Sequence, residues 1–314
     1  MTNHRDEALT KHDLQHTLAD AFSCIGPGVH TGLSAVMTVM PADADSGYVF
    51  FRKDVHPEMG LVPARWHTVT DTQLSTTVSN RFGVRVSTVE HLLAALHASG
   101  IDNARIVLDG PEVPIMDGSA KCFVDFIEQV GKKAQQRLRQ AIVITQPIKI
   151  ELNGASAMLE PHPSPLFEMH IDFPNTLIGQ QHYTTQLGEH TFKQELAPAR
   201  TFGLTKHIEA LKASGLAKGG SLKNALVVDG EKLLNQEGLR FSDEFARHKT
   251  LDSIGDLALA GATIIGKFTG YKSGHHLNNL LLRKLMHQNH SSVYTTLRQA
   301  QHRWQAIAHY PEAI

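Results

Sequence analysis

Two residue types that bind metals at neutral pH stand four apart at His248 and Asp252, in the stretch FARHKTLDSIGDL. On a helix this spacing sets both side chains one turn apart on one face, where they can grip a single ion, and zinc suits that geometry. The pattern alone is cheap: with 20 histidines in the chain, about one His-x-x-x-Asp is expected by chance and three occur. His67 and Asp71 lie in WHTVTD, whose β-branched residues disfavour a helix. His12, His16 and Asp20 make a tidier ladder, but at the edge of a polar tail with no core beneath it. Without a third ligand, a solvated helix face explains His248 and Asp252 better than a metal does. His91 is the best third ligand. It follows Glu90 in STVEHLLAAL, a helix otherwise made of Leu and Ala, where an unpaired ring is costly to bury. A core histidine bonded to a backbone carbonyl is the other reading. A catalytic zinc site takes three protein ligands and leaves a position for water, and a carboxylate placed as Glu90 is can take that water's proton. The His-Glu-x-x-His arrangement of common zinc proteases is absent. Amide hydrolysis also needs an acid for the leaving nitrogen, and His275 and His276 in YKSGHHLNN are equal candidates by residue type. Thr201 in ARTFG can donate to an oxyanion or be an ordinary turn threonine.

These residues need elements to hold them. The 314 residues suggest two domains. Strand-like runs occupy Ala35 to Val39 and Gly47 to Phe51, and Thr76 to Ser79 with Val84 to Val86 reads as a hairpin. A helix follows, capped by Ser87 or Thr88 and ended by Gly100, then a strand from Ala104 to Leu108. Lys121 to Val130 is a second helix, and the basic stretch Gly131 to Arg139 is the best domain boundary. Strands near Ala141 to Ile144 and Phe167 to Ile171 precede a β-α-β excursion with its helix at Thr205 to Ala213. The helix carrying His248 then runs into Gly261 and a strand, a faint echo of the His91 helix that two related α+β domains would explain. Residues before about 16 read as a disordered polar tail, and those after about Arg283 as one amphipathic helix containing Trp304 and Tyr310.

Composition narrows the function. Thirty Lys and Arg against 31 Asp and Glu leave a net charge of −1, so no nucleic-acid partner is expected. No stretch reaches the roughly 18 apolar residues that span a bilayer, and the polar start is not a signal peptide. Cys24 and Cys122 match no metal or redox spacing and fit a reducing compartment, so a cytoplasmic protein without an integral membrane segment is expected.

GPGVHTG, STVEHLLAAL, GIDN, GPEVPIMDGSA, ARTFG, EGLRFSDEFARHKTLDSIGDL and YKSGHHLNN are distributed along about residues 18 to 283. Together they closely resemble the zinc-dependent UDP-3-O-acyl-N-acetylglucosamine deacetylases, which commit Gram-negative bacteria to lipid A synthesis. The resemblance implies His91, His248 and Asp252 as metal ligands, Glu90 as general base and His275 as the catalytic histidine, oriented and charged by Asp256. It implies Thr201 as a group polarising the substrate carbonyl, Lys249 and Lys272 as cationic substrate contacts, and Phe202 as a wall of the binding site. It also implies two α+β domains of similar topology, with helices sandwiched between sheets and one insert in each. The expected division is a tail at 1–16, a domain at 17–135 with an insert at about 62–86, a domain at 136–285 with an insert at about 202–228, and a tail at 286–314. The second insert is expected to receive the acyl chain, with Ile208 and Leu211 lining a tunnel or else packing on the domain below. The implied substrate is UDP-3-O-[(3R)-3-hydroxyacyl]-N-acetylglucosamine, which loses its N-acetyl group as acetate. The implied metal is Zn²⁺, for which Fe²⁺ can stand at a His₂Asp site, and a monomer is expected. Two other readings are a metal amidase acting on a different acetylated sugar, and a non-catalytic nucleotide-sugar binder with structural zinc. Ser75 stands where some members have a cysteine, and the histidine-containing tail has no usual counterpart. The glycine-rich GPGVHTG and AKGGSLKN read as tight turns rather than phosphate loops.

Overall fold

The computed structural model describes residues 9–288, 290–301 and 304. In the first half the chain runs through β1 (Leu14–Leu18), β2 (Phe22–Pro27), β3 (Ser34–Pro41), β4 (Tyr48–Arg52), β5 (Leu61–Pro63), β6 (Val69–Asp71), β7 (Thr77–Ser79) and β8 (Arg85–Val86). It continues with α1 (Glu90–Ala98), β9 (Ala104–Leu108), α2 (Lys121–Val130) and β10 (Lys132–Leu138). The second half opens with β11 (Gln140–Ile144), β12 (Ile148–Leu152), β13 (Ala155–Glu160), β14 (Leu166–Phe173), β15 (Gly179–Gln186) and the single turn α3 (Glu189–Thr191). Then come β16 (Phe202–Leu204), α4 (Thr205–Ala213), β17 (Leu226–Asp229), β18 (Lys232–Leu233), α5 (Glu244–Ala258), β19 (Thr263–Ile265), β20 (Lys267–Tyr271), α6 (His275–His287) and β21 (Ser292–Thr296).

Two five-stranded sheets share one plan. In the order β2-β3-β9-β4-β5 only β4 and β9 are parallel, and in the order β12-β13-β20-β14-β15 only β14 and β20 are parallel. Alternation selects the buried face of each: Met37 and Val39 on β3, Phe50 on β4, and Phe167, Met169 and Ile171 on β14 turn inward. Helices α1 and α5 belong to one apolar core that joins both sheets, which is why both are buried on nearly every side. The chain is thus an α+β fold.

Helices α1 and α5 cross where Gly255 meets Glu90. A Cβ on Gly255 would lie 2.0 Å from the Glu90 carbonyl oxygen, so only glycine permits this approach. The expected insert near 62–86 is a three-stranded sheet, β6-β7-β8, but Val62 pairs with Phe50 and belongs to the main sheet. The second insert holds parallel β16 and β17 with α4 between them, and β18 is added at its edge.

Four expectations are corrected. Residues 1–8 lie outside those described, but the tail ends earlier than 16: β1 pairs with β10, buried Gln15 bonds Asp45, and the His16 amide donates to Asp102. The same pairing makes the basic stretch after Gly131, expected as the domain boundary, a strand that returns to the first half of the chain. Lys133 and Arg137 are exposed, Lys132 reaches Glu189 and the Ser99 carbonyl, Arg139 pairs with Asp102, and the backbone is satisfied by β1, so no apolar alternation marks it. The stretch after Arg283 is not one helix, because α6 ends at His287 and β21 then pairs with β11 beside β19; Tyr310 lies outside the described residues. Neither Ser87 nor Thr88 caps α1: the Thr88 hydroxyl donates to buried Glu112, and Val89 stands at the helix start.

Candidate metal centre

Helix α1 offers His91 from its first turn, and α5 offers His248 and Asp252 from one face. The ligand atoms of the three buried side chains all lie within 4.8 Å of one another. Both imidazole Nε2 atoms approach Asp252 Oδ1, at 3.4 Å from His91 and 3.3 Å from His248, and the two rings meet edge to face at 4.9 Å. The decoy ladders do not form: His12 sits on a 3₁₀ turn while His16 is on β1, and Asp71 lies on β6 beyond the 3₁₀ turn that holds His67.

The donor set fits a divalent metal. His248 Nδ1 donates to the Ala199 carbonyl at 3.1 Å, which leaves the Nε2 lone pair free to ligate. Burial drives His248 down to about 3 despite the nearby Asp252 carboxylate, so its imidazole is neutral. Burial would raise Asp252, but the Lys249 ammonium and the imidazole of His91 outweigh it and hold the carboxyl well below its usual range. Asp252 Oδ1 and His91 Nδ1 are buried with no hydrogen-bond partner. An ionised oxygen left in that position costs several kcal/mol or more unless a cation meets it. Three ligands and an opening to a cavity match the catalytic rather than the closed structural type of site.

A second group of buried polar residues stands beside the first. Asp256, one turn beyond Asp252, accepts from His275 Nδ1 at 2.9 Å, from Asn278 Nδ2 at 2.9 Å and from the Thr76 hydroxyl at 2.5 Å. His275 Nε2 lies 3.9 Å from Glu90 Oε1, and Glu90 Oε2 accepts from the Thr76 amide at 3.0 Å. Burial would lower His275, yet the carboxylates of Asp256 and Glu90 hold it up to about 9. Burial raises Glu90 above the usual carboxylate range, against the pull of His275 and His91. Both groups are raised, which keeps the imidazole protonated at neutral pH and makes the carboxylate a better proton acceptor, the properties an acid and a base beside a metal would need. His276 points elsewhere, with Nδ1 3.3 Å from the Thr72 hydroxyl. Thr76 and Asn278 were missed by sequence reasoning, because a threonine on a β-branched strand and an asparagine in a polar helix turn carry no signal of their own.

The centre opens into a cavity of about 1000 Å³ between the two inserts, which Thr201, Phe202, Lys249 and Lys272 all line. Phe202 packs edge to face on Phe245 at 5.0 Å and on His248 at 6.2 Å. The Lys249 ammonium binds Asp252 Oδ2 at 2.8 Å, and Lys272 binds Asp172 at 2.8 Å. Ile208 and Leu211 face this cavity. The two glycine-rich loops clasp each other at its edge: Lys218 and Gly219 donate to the carbonyls of His30 and Val29, and a Cβ on Gly219 would fall 2.2 Å from the Gly28 oxygen. Behind Thr201, buried Arg200 is held by Glu244 at 2.8 Å and by Glu237 at 2.8 Å.

Comparison with known proteins identifies the family. The family model described as LpxC: UDP-3-O-acyl N-acetylglycosamine deacetylase matches residues 15–287. The chain is 48% identical over 272 residues to a UDP-3-O-acyl-N-acetylglucosamine deacetylase of Anaeromyxobacter sp. (strain Fw109-5), covering 87% of this chain and 88% of that protein. It is 42% identical over 301 residues to the protein of that name from Pasteurella multocida (strain Pm70), covering 95% and 97%.

Proposed function

We propose that this chain, which belongs to the LpxC family of UDP-3-O-acyl-N-acetylglucosamine deacetylases, divides amide hydrolysis among its buried polar residues. It is a hydrolase of lipid A biosynthesis that removes the N-acetyl group of UDP-3-O-acyl-N-acetylglucosamine. His91, His248 and Asp252 would hold a divalent metal, Zn²⁺ or in its place Fe²⁺, and when bound it would supply Lewis-acid polarisation of the carbonyl and a more acidic water. Glu90 takes a proton from the attacking water, a role suited to a carboxylate raised by burial. The Thr201 hydroxyl donates to the oxyanion. His275, charged at neutral pH, gives its Nε2 proton to the leaving amine, so that acetate and a glucosaminyl nucleotide depart. Asp256 keeps that imidazolium oriented, and Thr76 ties Asp256 to Glu90 so that base and acid share one support. The acyl chain lies against Ile208 and Leu211, Phe202 forms a wall of the binding site, and Lys249 and Lys272 supply positive charge to the substrate.

The observation that carries this reading is the ionised, unpartnered Asp252 Oδ1 facing two imidazoles, with Glu90 and His275 on the adjoining wall. Acetate release measured across acyl lengths, with and without a chelator, tests it. Release that needs the metal and grows with the chain supports it. Release indifferent to acyl length favours a smaller acetylated sugar, and no release with metal bound favours a binding protein. No described helix is long and apolar enough to cross a membrane, and a cytoplasmic monomer is the arrangement proposed.

A further inference from the structure

We infer a second divalent transition-metal site, built from Glu168, His170 and His182 on the solvent-facing side of the second five-stranded sheet. His170 on β14 stands directly opposite His182 on β15, and Glu168 lies two residues before His170, so all three share one face. The imidazole rings stack at 4.3 Å and 25°. Both Nε2 atoms lie near Glu168 Oε1, at 3.0 Å from His170 and 3.4 Å from His182, whose Nε2 also meets the Thr184 hydroxyl at 3.0 Å. These distances bracket the roughly 3.3 Å between neighbouring vertices of a tetrahedral site with bonds of about 2.0 Å. The three ligand atoms lie within 4.8 Å of one another, as at the buried centre.

The carboxylate is prepared for a cation. Lys267 binds its other oxygen and holds Glu168 down to about 2 against partial burial, leaving Oε1 ionised and turned to the rings. Two imidazoles and one carboxylate select borderline ions such as Zn²⁺, Ni²⁺ or Cu²⁺ over Mg²⁺ and Ca²⁺, which take oxygen ligands. Both histidines are partly exposed, at 38% and 51%, so water fills the remaining positions and the ion exchanges readily. The intervening residues Met169, Ile171 and Tyr183 point the other way, into the core. The site therefore faces away from the deacetylase centre, and its existence does not depend on the function proposed above.

The test is titration of the metal-stripped full chain with Zn²⁺ or Ni²⁺ by calorimetry, with metal analysis after desalting. The wild type should take a tight ion and a weaker one. In His170→Ala/His182→Ala the weaker ion is lost while acetate release is unchanged, and in Asp252→Ala the weaker ion is kept while the tight one is lost. Nitrogen-15 resonances of the His170 and His182 side chains should move only with the second equivalent. A wild type that stops at one ion, or a double variant that binds the second with undiminished affinity, overturns the inference.

Discussion

Replacing Gly255 by alanine pits helix propensity against the crossing of two backbones. Inside a helix such as α5 the change normally stabilises by about 1 kcal/mol, since alanine loses less freedom on folding. Here the new methyl meets the Glu90 carbonyl oxygen at 2.0 Å, its carbon at 2.7 Å and its Cα at 2.9 Å, all main-chain atoms that cannot swing aside. Restoring an ordinary contact of about 3.4 Å moves α1 and α5 apart by roughly 1.4 Å. Overpacking of this kind costs about 1–3 kcal/mol, which cancels or exceeds the propensity gain. Function is hit harder, because Glu90 and His91 ride on α1 while His248 and Asp252 ride on α5. Metal sites tolerate about ±0.2 Å in ligand distance, and a misplacement of about 1 Å in catalytic geometry can cost about 10²-fold. Gly255→Ala should therefore lower kcat/KM for acetate release at least about 100-fold and weaken metal retention, with helical circular dichroism preserved. Acetate assay, metal analysis and thermal unfolding read the three quantities. A variant with a raised Tm, full metal content and wild-type turnover would refute the steric argument.

Glu90→Ala and His275→Ala should each cut turnover by about 10²–10⁴-fold with the metal still bound, as metal analysis beside the acetate assay will show. The acid form of His275 persists through neutrality, so turnover should fall as pH rises toward about 9, with a bound dication drawing that limb lower. Asp256→Asn removes a carboxylate that opposes burial, so the falling limb should move down by about one unit or more, and an unmoved pH profile would exclude the role given to Asp256. Arg200→Met strands the buried Glu244 carboxylate without its cation and should destabilise the chain by about 3–5 kcal/mol in denaturant unfolding. Chelation should lower Tm, since an ion that binds only the folded chain stabilises it by mass action, and a Tm indifferent to chelator would argue against the buried centre.

What the sequence disclosed and what it hid follow from how each residue is held. Glu90 and His91 stood out because polar groups on an apolar helix need a purpose, and His248 with Asp252 because helical spacing brings them together. Helix Thr205–Ala213 was legible to the residue, framed by a strand and a glycine-rich loop. The choice between His275 and His276 was settled by resemblance alone, since residue type is identical; the partner that distinguishes them, Asp256, arrives from another helix. Long-range partners hid the rest. Thr88 looked like a cap, but Glu112 gathers its hydroxyl together with the amides of His30 and Thr31. β1 and β10 are stabilised by each other's backbone, which no local apolar pattern announces. Resemblance implied Lys249 as a substrate contact, but nothing in the sequence announced its ion pair with the carboxylate three residues along.

Strand order has a consequence for how the polypeptide matures. In each large sheet the central strand is the last to be synthesised: β9 inserts between β3 and β4, and β20 between β13 and β14. Neither sheet can close before the helix carrying its share of the metal ligands has left the ribosome. His275 follows the final insertion by only four residues after Tyr271. A truncated product ending within β20 would already own the three proposed metal ligands and the proposed general base, yet would lack the proposed proton donor and two of the three hydrogen bonds that anchor Asp256, keeping only that from Thr76. Hydrolytic competence is thereby deferred until the scaffold around it has shut.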